Sequence, residues 1–168
     1  ITIFLMLLGA TSFTVHYKMV KTKGKALFKD IQFQFLIAGI IIAGTLVALM
    51  AHIAPMNALF HVVSAITTTG ANIATPSDMA SWGCPALIVI MILMVMGGSS
   101  GSTVGAVKLI RVITVLKSTS IAVTNIISPA RVVSTRIKSK KINETEMKEA
   151  SSYIAVYLSF LAVSWIIM

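Results

Sequence analysis

No lysine or arginine occurs between residues 31 and 107, and the one acid in that stretch is Asp78. Over the whole chain only 11% of residues are charged while 57% are hydrophobic. Soluble domains carry roughly a quarter charged residues. The missing charge, more than the extra apolar content, excludes an ordinary solvated globular domain and points to a membrane. Cysteine is nearly absent. The single thiol, Cys84, excludes an internal disulfide and a cysteine metal cluster, and it reads as a small apolar residue near a helix start. Acids are scarce: five Asp and Glu stand against 14 Lys and Arg, a net charge of +9. That balance could mark a nucleic-acid binder, but no basic stripe is interleaved with stacking aromatics. The basic residues gather instead at the edges of apolar segments, as cytoplasmic loops do under the positive-inside rule. No basic region precedes the apolar N-terminal run, so a signal peptide pattern is lacking.

What is present reads as a polytopic membrane chain. Residues 1–15 are apolar but short of the roughly 20 residues a span needs, so the rest of that span is expected to precede Ile1. Trp165, Ile166, Ile167 and Met168 likewise stop inside an apolar run, and we expect a piece of a longer protein. Lys18, Lys21, Lys23, Lys25 and Lys29 make a first cytoplasmic loop, and Arg131, Arg136, Lys138, Lys140 and Lys141 a second. Residues 35–54 carry no formal charge and should cross outward. Pro55 ends that span. Residues 56–66 are apolar but too few to cross, and read as a short re-entrant helix. Residues 74–83, with Pro76, Ser77 and Asp78, form an external turn, and Trp82 sits where an interfacial aromatic belongs. Pro85 opens the next apolar run, 86–96, which breaks at Gly97 and resumes near Ala106. Asn143 and Glu146 resemble a helix start with Asn143 as cap, leading into a last span, 150–168. Two basic loops on one side require an even number of crossings between them. Residues 35–54 and 86–107 supply two, so the short helix must enter and leave from outside.

Two broken stretches carry the chemistry. Thr67, Thr68, Thr69, Gly70 and Ala71 follow the short helix. Gly97, Gly98, Ser99, Ser100, Gly101, Ser102 and Thr103 interrupt the second span. Neither suits an apolar helix interior, and broken backbone at membrane depth is tolerated only where it is buried in protein or lines a water-filled cavity. A dehydrated cation needs oxygens to replace its water, and backbone carbonyls of a Thr/Gly stretch can supply them. Gly70 suits the unusual dihedrals this requires. The short helix would point its partly negative C-terminus at the ion. The first stretch also fits an ordinary helix C-cap with Gly at C′, and the second fits tight helix–helix packing through small residues. His52 and His61 read as interfacial and packing residues, and Asp78 as a solvated loop acid.

The run Phe60, His61, Val62, Val63, Ser64, Ala65, Ile66, Thr67, Thr68, Thr69, Gly70 resembles the Trk/Ktr/HKT potassium transporters. So does the longer motif from Met96 through Thr103, Val104, Gly105, Ala106, Val107 and Lys108 to Arg111. His16-Tyr17 and Ser128-Pro129-Ala130-Arg131 extend the likeness over essentially the whole chain. The resemblance implies an all-α membrane protein of potassium-channel-like helix–pore-loop–helix repeats, with a re-entrant pore helix and a broken second helix. Four such repeats share one chain. It implies this division: 1–16, the end of the preceding repeat; 17–33, a basic cytoplasmic loop; 34–128, one complete repeat; 129–149, a second basic loop; 150–168, the first span of the next repeat. The selectivity filter maps to Thr68, Thr69, Gly70 and Ala71, whose carbonyls would bind potassium. The intramembrane gating loop maps to Gly97, Gly98, Ser99, Ser100, Gly101, Ser102, Thr103 and Gly105. Partners implied are the remaining repeats, a second copy in a homodimer, a cytosolic nucleotide-binding regulatory subunit and the bilayer of the cell membrane, with no nucleic acid. The chain departs from the family at Ala71, where many members carry an aromatic, and at Ala106, where glycine is common and a stiffer hinge is expected.

The expected function is potassium, or more broadly monovalent cation, transport through a channel-like pore, with no cofactor and no enzymatic activity. A broken-helix secondary transporter of a small organic substrate is the alternative, but the two central spans contain no acid to hold a substrate. An intramembrane enzyme would need a Ser/His, paired-Asp or zinc-ligand set at membrane depth. Only His52, His61 and scattered hydroxyls are available there.

Overall fold

A computed structural model describes residues 1–22, 27, 30–127, 136–137, 140–141 and 144–167. Asn143, residues 23–26 and 28–29 of the first basic loop, and the greater part of the second lie outside the described residues. Two compact units divide the chain, Ile1–Leu109 and Ile110–Met168.

The first unit opens with α1 (Thr2–Ala10) and α2 (Phe13–Thr22). The sequence predicts one apolar stub over 1–15. Instead the helix breaks at Thr11 and Ser12 and bends by 102°. α3 spans Ile31–Ala51, about 31 Å at 1.5 Å per residue. Asp30 starts it by accepting from the Phe33 N–H at 3.0 Å, so the helix begins four residues before the charge-free window at 35. It ends at His52, which is left-handed with φ 51°, and Ala54 then caps the next helix. α4 (Pro55–Ile66) has Pro55 in its first turn and is only about 18 Å long, too short to cross a membrane. α5 (Pro76–Ser81) is a single turn and a half, and α6 (Cys84–Met96) follows with Pro85 near its start.

Leu36, Ile40, Ala43 and Val47 form the buried stripe of α3, at spacings of four, three and four. Ala86, Ile90 and Leu93 do the same on α6. Both stripes close on α4, which buries His61, Val62, Val63, Ser64, Ala65 and Ile66. α1 also packs on α4. Away from the stripes α3 and α6 remain apolar: Ile41, Ile42, Leu46, Leu49, Ile88, Met91, Ile92 and Met94 are exposed. A helix that is hydrophobic all round belongs in a membrane or a large core.

In the second unit, α7 (Leu109–Ile127, beginning one residue before the division) carries hydroxyls turned back onto its own carbonyls, Thr114 to Ile110 at 2.8 Å and Thr124 to Ser120 at 2.8 Å. β1 (Arg136–Ile137) and β2 (Lys140–Lys141) pair antiparallel. α8 spans Glu144–Ile167, and the Arg111 guanidinium lies 3.9 Å above the Tyr153 ring. Among the described residues, α3 and the Thr145–Ile167 part of α8 are each long and apolar enough to cross a membrane. The chain is an all-α membrane protein apart from the two-residue ladder.

Candidate functional site

The C-terminus of α4 closes in a Schellman arrangement. Thr67 is the cap, the Thr68 N–H donates to Ala65 O at 3.0 Å, and the Thr69 N–H donates to Ser64 O at 3.0 Å. A C-cap is therefore present, but its left-handed C′ residue is Thr68, with φ 50°, not a glycine. A β-branched residue rarely adopts that conformation, and strain of this kind, of order 1–3 kcal/mol, persists where surrounding structure over-determines it. Gly70 follows with φ 74°, so left-handed backbone recurs at alternate positions.

Hydroxyls hold the turn in place. Thr67 Oγ1 donates to Val63 O at 2.7 Å. Its one proton is thereby used, so in the 2.7 Å Thr67–Thr69 hydroxyl contact Thr69 is the donor. Ser64 Oγ donates to Ala71 O at 2.6 Å and ties the returning chain to α4. Thr68, Thr69 and Gly70 are exposed and Ala71 is half-buried. A cavity of about 330 Å³ lies beside them, walled by Leu5 and Met6 of α1, by Thr67 and Thr69, and by Thr103 and Val104.

The break after α6 begins at Gly97, with φ 70° and ψ −167°, a region open essentially to glycine alone. Positive φ recurs at Gly101, Ala106 and Lys108. The expected resumption near Ala106 comes at Leu109, because Ala106 (φ 64°) and Lys108 (φ 73°) cannot extend a right-handed helix. The segment lies against the α1–α2 break. The Ser99 N–H donates to Ala10 O at 3.1 Å, the Thr103 N–H and hydroxyl both donate to Gly9 O at 3.3 and 3.1 Å, and the Phe13 N–H donates to Gly101 O at 3.0 Å. In an unbroken helix Phe13 N–H would serve Gly9 O, and Thr14 N–H would serve Ala10 O. The 102° bend is the geometric result of redirecting those groups to the loop. One further bond joins the two broken stretches: the Gly105 N–H donates to Thr68 Oγ1 at 3.1 Å.

The structure thus brings Thr68 together with the 97–105 segment, while Thr69 and Ala71 are held from α4. Sequence reasoning missed Ser64, the 11–12 break and Gln32, whose side-chain oxygen accepts from the Ser100 N–H at 2.7 Å. The small residues Gly9, Ala10, Thr11 and Ser12 were a signal for the break. Gln32 has no local signal. Trp82 is 4% exposed and packs edge-on against His61 with ring centroids 4.8 Å apart. His61 is buried between Phe60 and Trp82, as a packing residue.

Asp78 is exposed but has a defined role. It forms a capping box with Thr75, whose hydroxyl and N–H both donate to the carboxylate, at 2.6 and 3.0 Å. The Thr75 hydroxyl, then its backbone N–H, hold the carboxyl below its usual 3.8. Stabilisation from this box is present above that usual value and is lost as pH falls through the lower folded value. Protection of the Met79 and Trp82 amides, taken relative to the intrinsic exchange rate at each pH, is therefore expected to fall in strong acid and in Asp78→Asn at neutral pH. Unchanged exchange in the variant would remove the box from the turn's stability.

The family model described as TrkH, cation transport protein, matches residues 28–167. An uncharacterized cation transporter of Methanocaldococcus jannaschii is 29% identical over 154 residues, covering 91% of this chain and 31% of that protein. The Trk system potassium uptake protein TrkI of Halomonas elongata is 33% identical over 113 residues, 63% of this chain and 22% of that one. The crystal structure of the potassium transporter TrkH from Vibrio parahaemolyticus superposes with a TM-score of 0.78 at 23% identity, over 99% of this chain and 36% of that one. The chain spans less than a third of the length of the first two relatives.

Proposed function

The chain belongs to the TrkH family of cation transport proteins, and from that premise we propose that it supplies one helix–pore-loop–helix unit, with its flanking segments, to a potassium-uptake pore. α3, α4 and α6 make the unit, and residues 34–128 are its extent. Thr68, Thr69, Gly70 and Ala71 line the ion path with backbone carbonyls, and residues 97–105 gate it from below. The observation that carries this reading is the end of α4. A helix too short to cross a membrane stops in a threonine turn with left-handed backbone at Thr68 and Gly70, and one of those residues is bonded to the second broken segment. Carbonyls at such a turn replace hydration oxygens, and the negative end of the α4 dipole adds a fixed field for a cation.

The remaining repeats, a second copy and a cytosolic nucleotide-binding regulator complete the transporter. It resides in the cell membrane, with both basic loops on the cytoplasmic side under the positive-inside rule. The reading is one of permeation, with no covalent chemistry.

Gly70→Ser in the full-length protein is the direct test. A Cβ at Gly70 meets nothing within 4 Å among the described residues, so no neighbour within this unit must move. The positive φ alone costs about 1–2 kcal/mol, and it falls on the path-lining backbone. Selectivity for potassium over sodium is expected to drop about tenfold, the change that about 1.4 kcal/mol of differential binding produces. Rubidium uptake under sodium competition reads it. Normal selectivity at normal abundance would take Gly70 out of the filter.

A further inference from the structure

Gln32 stands in the first turn of α3, three residues after the last lysine of the first basic loop. Its amide oxygen accepts the Ser100 N–H at 2.7 Å across 68 residues of sequence. Ser100 is the middle of the broken segment, where a backbone N–H has no helical partner. On its other flank the same segment is bonded to Phe13, the first residue of α2: Gly101 O accepts the Phe13 N–H at 3.0 Å. The tip of the loop is thus bonded, at neighbouring residues, to α2, whose C-terminal half carries Lys18 and Lys21 of the basic stretch, and to α3, which follows that stretch. Its remaining tip bond is internal, Ser102 Oγ to Ser99 O at 2.6 Å. Ser99 is 1% exposed, so the base of the segment is fixed and Ser100 and Gly101 are the residues free to move once these two bonds open.

We propose that Gln32 is a positioning residue for the gate: its side-chain oxygen latches Ser100 and keeps the 97–105 segment in the ion path. This rests on the reading of that segment as the gate. A displacement of the α3 N-terminus by the basic loop it follows breaks the latch without touching the filter. The device is local. It asks for one acceptor at one position, and it is not met by a side chain that merely fills the same space.

Four full-length variants decide it, with rubidium uptake measured at matched membrane abundance. Gln32→Met keeps the length of the side chain and removes the acceptor. Gln32→Glu keeps an acceptor. In a third protein the α-hydroxy acid analogue of serine replaces Ser100, removing the donor N–H and weakening Ser99 O, now an ester carbonyl, as the acceptor of Ser102 Oγ. The fourth lacks residues 99–102. Gln32→Met and the Ser100 analogue are expected to raise flux about two- to tenfold, the shift that one lost hydrogen bond gives a two-state equilibrium. Gln32→Glu should retain the parent's flux, a rescue that simple loss of packing would not give. Raised flux in the deletion with parental flux in Gln32→Met and the Ser100 analogue overturns the latch and leaves the gate standing. The latch is equally overturned if Gln32→Glu behaves like Gln32→Met. If the deletion itself does not raise flux, the gate reading fails and the latch falls with it. Should Gln32→Met not accumulate, the Ser100 analogue carries the same two outcomes.

Discussion

Gly97→Ala is expected to deplete the folded protein from the membrane, whereas Gly70→Ala is expected to accumulate normally. Both glycines have positive φ, 70° and 74°, yet their surroundings differ. A Cβ at Gly97 would stand 2.7 Å from Gly105 O and 2.8 Å from Ala106 Cβ. Neither can retreat cheaply, because the next residue's backbone N–H, Val107, is bonded to Val95 O at 3.1 Å. Dihedral strain of about 1–3 kcal/mol and overpacking of about 1–3 kcal/mol together rival the whole stability of many domains. At Gly70 only strain of about 1–2 kcal/mol applies. Thermal denaturation in detergent, with membrane abundance alongside, separates the two. Ala106→Gly should partly rescue Gly97→Ala, since it removes the 2.8 Å Cβ contact and relieves an alanine at φ 64°. Equal stability of the two single variants would show that the close approach at Gly97 relaxes freely.

Deleting residues 99–102 is expected to raise ion flux and weaken its dependence on the cytosolic regulator. The deletion takes away Ser99 N–H, Ser100 N–H and Gly101 O, the groups bonded to Ala10, Gln32 and Phe13. It spares the base of the break, where the Leu109 N–H donates to Gly98 O at 2.9 Å and the Gly105 N–H to Thr68 Oγ1. On the proposed reading the obstruction is lost while the turn at residues 67–71 keeps its support. A segment that only packs helices would behave oppositely, losing assembly and flux together. Uptake at matched abundance tells the two apart, and a folded deletion variant with low flux would refute the gate.

Much of this arrangement was legible in the residues themselves. The short helix α4 follows from Pro55, an apolar run too short to cross, and a Thr/Gly break. The interruption of α6 follows from three glycines among hydroxyls. What was not legible depends on residues distant in sequence. The left-handed position at the end of α4 fell on Thr68 although Gly70 was available, because Thr68 Oγ1 meets Gly105 from 37 residues away. Trp82 reads as an interfacial ring on its position alone, and only the fold shows that His61 supplies a buried face for it. Gln32 is one polar residue near a helix start, with nothing nearby to announce Ser100. Periodicity and composition report local preference, and such partners are set by tertiary contact.

The bend between α1 and α2 also has a history in time. Gly9 O receives Thr103 from 94 residues downstream. A ribosome adding roughly 5–20 residues per second makes α1 and α2 many seconds before that partner exists. Until then the backbone groups of residues 9–14 have one another, and an uninterrupted helix satisfies them best in lipid. The first helix is thus expected to enter the membrane straight and to fold over only when the later segment arrives. The corner is expected to be a late event in biogenesis, made by a later-synthesised segment acting on an earlier one.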